Sequence, residues 1–378
     1  MDTFPAVMIG GAPHTGKSTL AHHLSMRLRS DAEHYLLRAT PDGEGDWSYQ
    51  ASPHLARALR IKGTFTPAWI EGICQDISAR HLPFLVDVGG LPQPDQEVIF
   101  DRCTHAIVLS RTPEEHDLWV ELARRHSLII LADLHSDLHG QDAITSILPA
   151  LQGTIAGLDR VAPRLGVTFD ALVERLRQLF DYDAQELRGL HLAEAPAEIE
   201  LLVDLDRLAD SLGADHLQWE PRSLPQVLDY LPAATPLALY GRAPAWLYAA
   251  IARHVWPADL WQFDARLGWV RTPALRVLAA PSQAIWETSL RSADGHLRLE
   301  FTSHDRHLDL NLVAHLPVPP IPSDQGLILS GKLPQWVWTA LVRTYHEQPW
   351  LAVFAPREQR AVVVWSRVAE LPPGSMLP

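Results

Sequence analysis

The chain has 378 residues, 47% of them apolar and 20% charged, a balance that suits a globular protein of two or three domains. No run approaches 18 apolar residues and the opening MDTFPAVMIGG has no basic segment, so neither a transmembrane span nor a signal peptide is expected. A net charge of −13 argues against a partner held by many phosphates, such as long nucleic acid, and two lone cysteines, Cys74 and Cys103, exclude a disulfide scaffold and point to the cytoplasm.

In chain order, Ala6–Ile9, Tyr35–Leu37, Phe84–Val86, Ala106–Leu109 and Leu128–Leu131 read as short strands. They are apolar throughout, and helical patterns separate them (Trp69, Ile70, Ile73 and Ile77; then a helix capped by Thr112, Pro113 and Glu115). That alternation predicts an α/β domain over residues 1–150, with a parallel sheet covered on both faces. Residues 151–217 carry two apolar stripes, Phe169/Leu172/Val173/Leu176/Phe180 and Leu201/Leu202/Leu205/Leu208/Leu212, and read as a helical connector or lid. Charge is uneven: −7 over residues 1–150, −7 over 151–217, +1 over 218–297 and 0 over 298–378. Only the C-terminal half is neutral enough to suit a small anion.

That half carries ten of the 13 tryptophans and an internal repeat. YGRAPAWLYAAIAR (Tyr240–Arg253) and SGKLPQWVWTALVR (Ser330–Arg343) align at an offset of 90, matching Gly241, Pro244, Trp246, Ala250 and Arg253 with Gly331, Pro334, Trp336, Ala340 and Arg343. One residue further out of step, Phe263 and Arg266 match Phe354 and Arg357. The pattern predicts tandem small α/β domains over 218–297 and 298–378.

Three features carry chemistry. Gly11-Ala12-Pro13-His14-Thr15-Gly16-Lys17-Ser18, followed by Thr19, fits the phosphate-binding loop G-x-x-x-x-G-K-[ST] between a strand and a helix. Backbone amides of such a loop point at phosphates, Lys17 reaches the outer ones, and Ser18 holds Mg²⁺. Asp87, after Phe84–Val86, stands where a Walker B carboxylate would position the same metal, and Gly90 would contact the γ-phosphate. No guanine-recognition signature follows, so ATP is favoured over GTP.

In each repeat an apolar strand runs into Gly-[Arg/Lys]-x-Pro and then a helix. Gly241 and Gly331 permit the tight turn, Pro244 and Pro334 suit the first helical position, and Arg242 and Lys332 sit beside free helix amides, which makes an anion site. Arg266 and Arg357, on the next turns, could add a phosphate clamp. Both turns could equally be structural, with solvated arginines. Two segments stay open: Asp42, Glu44 and Asp46 as a base, a metal–water ligand or a solvated loop, and Asp133–His139 as a metal site or a polar strand end.

At these residues the chain resembles a family. Gly326–Met376 is similar to the small CRISPR-associated ring nucleases that bind cyclic tetra-adenylate in type III CRISPR immunity. Ser330, Gly331, Lys332, Pro334, Trp336, Tyr345 and His346 match the family pattern S-G-[RK]-x-P-x-W leading to Y-H, and LRLEFTSHDRHLDLNLV resembles its first hairpin. Its Y-D-P-R turn is Phe354-Ala355-Pro356-Arg357 here, so the aspartate is lost, and Arg367 stands where a further histidine is expected. The first copy keeps Asp264 and Arg266 but has Trp256 in place of the histidine. GGAPHTGKS, PDGEGDW, VDVGG and CTHAIVLS resemble the AAA-type P-loop ATPase fused to such nucleases.

The resemblance implies binding and linearisation of cyclic tetra-adenylate by a homo-oligomer, with His346 as acid–base group and Arg357 and Asp264 as further catalytic residues. Gly241, Arg242, Arg266, Ser330, Gly331 and Lys332 would hold the ring. ATP with Mg²⁺, and Mn²⁺ in some members, would serve as cofactors. Two other readings remain: a messenger sensor that does not cut, and a small-molecule kinase with Asp42, Glu44 or Asp46 as base.

Overall fold

In the computed structural model, which describes residues 4–41, 65–214, 218–278, 286–293, 296–303, 308, 310 and 317–378, the five apolar runs of the N-terminal part become neighbouring strands. The expected acidic loop Asp42/Glu44/Asp46 lies outside the described residues. The chain is mixed α/β with parallel sheets and helices, and divides into two compact units: Met1–Leu190 with Ala265–Gly268, and His191–Asp264 with Trp269–Pro378. No helix among the described residues is long and apolar enough to cross a membrane.

In the first unit, β1 (Ala6–Gly11), β2 (Tyr35–Ala39), β3 (Phe84–Val88), β4 (His105–Ser110) and β5 (Ile129–Asp137) run parallel in the order β2-β3-β1-β4-β5. An edge β6 (Ala143–Ser146) is antiparallel to β7 (Leu151–Ala156), which extends the sheet from β5. Side chains alternate between two buried layers. Met8, Phe84 and Val86 face α2 (Pro67–Ser78) and α3 (Pro113–Arg125), while Val7, Ile9 and Leu85 face α1 (Lys17–Leu28) and α4 (Val167–Leu179). That double coverage is why these strands read as unbroken apolar runs. Thr112 caps α3 by accepting from the Glu115 amide at 3.3 Å, and the Glu115 carboxylate reaches back to the Arg111 amide (2.8 Å) and to the backbone of Thr112, closing the box.

Two expectations are corrected here. An AAA-type ATPase carries a strand between its phosphate-loop strand and its Walker B strand. Here β3 bonds directly to β1, with Ile9 opposite Asp87, so the AAA-type order is not formed. Residues 151–217 are not all helical either: Leu151–Ala156 is β7, and Leu201–Asp204 is a strand, β8. After α5 (Ala184–Ala193), only Leu205–Leu212 of the second stripe is helix, α6, which Gly213 ends in the left-handed region at φ 65°.

The second unit holds two sheets of matching layout. β8, β9 (Leu237–Tyr240), β10 (Leu260–Asp264) and β11 (Gly268–Arg271) lie in the order β11-β10-β9-β8, behind α7 (Leu224–Tyr230) and α8 (Ala245–His254). β12 (Arg276–Val277) pairs with β15 (Pro317–Val318). β13 (Trp286–Ala293), β14 (His296–Ser303), β16 (Leu327–Gly331), β17 (Trp350–Ala355), β18 (Arg360–Ser366) and β19 (Met376–Leu377) form the other sheet, in the order β13-β14-β16-β17-β18-β19, with α9 (Gln335–Thr344) after β16.

The run β18-β17-β16-β14 repeats β11-β10-β9-β8, and in each run the last two neighbour pairs are parallel. Burial also repeats residue by residue from Gly241 to Ala250 and from Gly331 to Ala340. Strand β14 finds its hairpin partner upstream in β13, with Leu290 opposite Leu299. The second arm of the hairpin expected from Leu297 falls largely outside the described residues.

Trp246 and Trp336 fill equivalent core positions at 4% and 0% exposure. Trp246→Ala and Trp336→Ala should each lower stability by about 3–5 kcal/mol in urea denaturation, the usual cost of deleting a buried tryptophan. A loss below about 1 kcal/mol in either would show that its copy does not use that ring as core.

Candidate functional site

The loop after β1 is shaped by backbone requirements. Gly16 sits at φ 83° as the cap of α1, and a Cβ there would come within 2.6 Å of Leu158. His14 is exposed, with φ 66°. The Thr15 hydroxyl donates to the Ala12 carbonyl at 2.9 Å, and Ser136 on β5 donates to the Thr15 carbonyl at 2.9 Å. Lys17 folds back over the loop, its Nζ 2.8 Å from the Ala12 carbonyl oxygen. Burial pulls its pKa down to about 8, against the pull of Asp87 and Glu115. Gly11, Thr15, Lys17 and Thr19 are buried, so the outer surface of the loop is formed by Pro13 and His14.

Asp87 lies beneath this loop at 2% exposure. Its Oδ2 accepts from the Ser18 hydroxyl at 2.8 Å and from the Arg38 guanidinium of β2, which stands opposite it in the sheet. Burial raises its pKa, while Arg38, Ser18 and Lys17 work against that rise. Its Oδ1 is buried with no hydrogen-bond partner. An unpartnered carboxylate oxygen beside a serine hydroxyl is a hard-oxygen pair that fits Mg²⁺. The sequence reading missed Arg38; its only signal is a lone cation inside an otherwise apolar strand.

The polar residues after β5 do not gather into a metal centre. Asp133, His135 and Asp137 occupy one face of the strand, and Asp133 accepts from His116 Nε2 at 2.9 Å. No group of three His, Cys, Asp or Glu side chains that could hold a metal forms among the described residues.

In the second unit the two Gly-[Arg/Lys]-x-Pro turns lie side by side. Gln335 Nε2 donates to the Ala243 carbonyl at 2.7 Å, which ties the start of α9 to the turn before α8. Pro244 and Pro334 are N-caps rather than first helical residues, and each carbonyl accepts from the amide three residues on at 3.0 Å. Gly241 has φ 109°, and Arg242 and Lys332 are exposed. At the far ends of these helices Arg253 Nη2 donates to the His346 carbonyl (3.2 Å), Arg343 donates to the Ala258 carbonyl, and the Trp256 and His346 rings stand 5.0 Å apart. Positions equivalent by the repeat thus meet each other, as in a pseudo-twofold pair.

Within one chain the catalytic candidates do not gather in one place. His346 follows α9 and precedes β17, while Arg357 follows β17. The two stand at opposite ends of a six-residue strand, roughly 17 Å apart at 3.3 Å per residue. His346 Nδ1 bonds the Arg343 carbonyl oxygen at 2.9 Å and does not face the Lys332 turn. Arg266 falls in the first unit, where it lies 3.3 Å from Asp76.

Asp264 ends β10 near Tyr248, whose hydroxyl donates to the Gly241 carbonyl at 2.7 Å; burial, then Asp264 and Asp206, push that phenol up. Ser330 is buried and accepts from Arg298, a residue with no sequence motif, at 3.3 Å; Arg298 also stacks 4.6 Å over Phe354.

Residues 301–378 match the model of a family described as CRISPR-associated protein (Cas_csx3). The match covers β16, α9, β17 and β18 and supports a CRISPR-associated protein.

With three lysines in the chain, Lys17 can be read directly. Carbon-13 NMR of the reductively methylated protein should show one lysine titrating near pH 8 and missing from Lys17→Arg. The unfolded chain holds that proton to about 10.5. The cost of burying the charged form is therefore full below pH 8 and is relieved as pH rises from 8 to 10.5. Three lysines all titrating above pH 10 would contradict the burial of Lys17.

Proposed function

We propose that this chain is a type III CRISPR ancillary protein whose C-terminal half, built of tandem ring-nuclease-like domains, binds cyclic tetra-adenylate. Its Gly11–Ser18 loop is then a P-loop that binds ATP with Mg²⁺ and controls the messenger site. The observation that carries this is the Gln335–Ala243 bond, which draws two cation-bearing helix starts to one edge of the second unit. Two helix N-termini with Arg242 and Lys332 give one cyclic anion paired contacts. Arg298, Ser330 and Phe354 add an arginine, a hydroxyl and a ring to the second copy's strands.

Within one chain His346 is turned away from that edge. This favours the sensor reading, in which the ring is held and the P-loop unit responds. Linearisation by His346, with or without Mn²⁺, would require a second chain to bring its own His346 to the bound ring. On the nucleotide side, Ser18 and the free Oδ1 of Asp87 would hold the metal. Mg²⁺ would supply charge neutralisation between phosphate oxygens, and Lys17 would orient the outer phosphates.

Arg242→Ala and Lys332→Ala should each weaken cyclic tetra-adenylate binding about ten- to a hundredfold in calorimetry, the ~1.5–3 kcal/mol of a charge-assisted contact. Unchanged affinity in both variants would remove the shared edge as the binding site. Lys17→Ala should abolish binding of a fluorescent ATP analogue while leaving the circular dichroism unchanged. A mutant that binds the analogue as wild type does would reject the loop assignment. Labelled ring incubated with wild type under Mg²⁺ or Mn²⁺ separates sensor from nuclease: an intact ring supports the first, a linear product the second.

A further inference from the structure

Beside the loop lies a cavity of about 180 Å³, lined in part by Gly90, the residue expected at the γ-phosphate. Its walls are the residues that leave the C-terminal ends of β2 and β3, among them Thr40, Gly89, Gly90 and Leu91, closed by Phe65 and Phe100. Ligands of open α/β sheets bind in the crevice outside the carboxyl ends of the strands. The cavity touches the phosphate loop, since a Cβ on Gly90 would stand 3.0 Å from Pro13 Cγ. Val88 and Ala39, which line it, alternate in their strands with Asp87 and Arg38, whose side chains lie on the opposite face of the sheet, beside Ser18 and the loop.

A P-loop directs the outermost phosphate toward its lysine and toward the carboxylate strand. A cavity at that end is where a second reactant meets the phosphate. A hydrolase needs only a water there. This one instead offers apolar walls from Phe65, Ile99 and Phe100, the Gly89–Gly90 backbone, and the Thr40 and Gln96 side chains. Mostly apolar lining with a few convergent polar groups is the composition of a small-molecule site. It suits a flat ring that carries a hydroxyl or phosphate.

We propose that the first unit is a phosphotransferase whose acceptor, a nucleoside or nucleoside monophosphate, binds in this cavity. The inference rests on the ATP reading of the loop. The acceptor oxygen attacks the γ-phosphorus and forms a new O–P bond. The bond from γ-phosphorus to the β–γ bridging oxygen breaks, and ADP leaves with that electron pair. A hydroxyl acceptor gives up its proton to solvent. Arg38 and Lys17 face the moving phosphoryl group and offset its charge.

The test uses the full chain with [γ-³²P]ATP, Mg²⁺ and each of the four ribonucleosides and their 5′-monophosphates, with products separated by thin-layer chromatography. Label should appear on at least one acceptor, and the nucleoside and monophosphate arms tell a hydroxyl acceptor from a phosphate one. Leu91→Trp fills the cavity from a residue that is 54% exposed, and Phe65→Ala removes a wall. Each should lower transfer at least tenfold while ATP affinity, measured separately by calorimetry, stays within twofold. ATP bound by wild type with no acceptor labelled would overturn the proposal, and so would Leu91→Trp transferring at the wild-type rate. Failure of wild type to bind ATP at all would overturn the nucleotide reading itself, and the acceptor site with it.

Discussion

A carboxylate shut away from water needs positive charge or hydrogen bonds around it, and Asp87 at the end of β3 receives both. Desolvating an isolated carboxylate costs several kcal/mol, so the surroundings of Asp87 are arranged to compensate. Ser18 approaches from the start of α1, Arg38 from β2 and Lys17 from the loop. The start of α1, β2 and β3 are thereby joined through one carboxylate. The register that sets Ile9 and Arg38 on either side of Asp87 follows from β3 lying directly between β1 and β2. Arg38 engages Oδ2 and leaves Oδ1 without a partner.

The second unit solves a different problem, how to place two copies of one motif edge to edge. Leu247 and Leu341 are among the residues through which α8 and α9 join a single core, and the bonds at the helix ends fix the mutual register. At one end Gln335 spans to Ala243; at the other Arg253 and Arg343 each donate to a carbonyl of the opposite copy. Carbonyls at helix ends lack internal partners, so arginines there satisfy them and also suit the negative pole of the helix. The arginines matched by the repeat, at 253 and 343, are thus occupied in holding the copies together. Those expected on the outer turns, 266 and 357, separate: one pairs with Asp76 in the first unit and the other stays exposed.

Local chemistry was legible in the sequence and long-range placement was not. The five parallel strands, the loop and the repeat follow from apolar runs, a glycine pattern and a fixed offset, all properties of neighbouring residues. Leu201–Asp204 was read as helix because four residues carry too little periodicity to tell a strand from the first turn of the helix that follows. Arg38 and Arg298 escaped notice because their partners lie 49 and 32 residues away, on strands that become neighbours only when the sheet forms. The separation of His346 and Arg357 within one chain has the same source. They are close in sequence and belong to one family pattern, but a strand between them sends them to opposite edges.

The two halves of the repeat have also diverged in charge at the edge they share, and this bears on how an anion would sit there. β8 and β10 end in Asp204 and Asp264, and Asp206 follows in the first turn of α6. Asp204 is used as a helix cap, accepting from the amides of Asp206 and Arg207, so part of its charge is absorbed by the N-terminus of α6. Among the corresponding strands of the second copy, β14 carries Arg298, β16 leads to Lys332 and β17 leads to Arg357. A symmetric anion would meet one cation at each turn, Arg242 and Lys332, but carboxylates beside the first and further cations beside the second. Duplication makes such drift tolerable: once one copy supplies the cations, the other need only complete the edge, and its acids can serve capping instead.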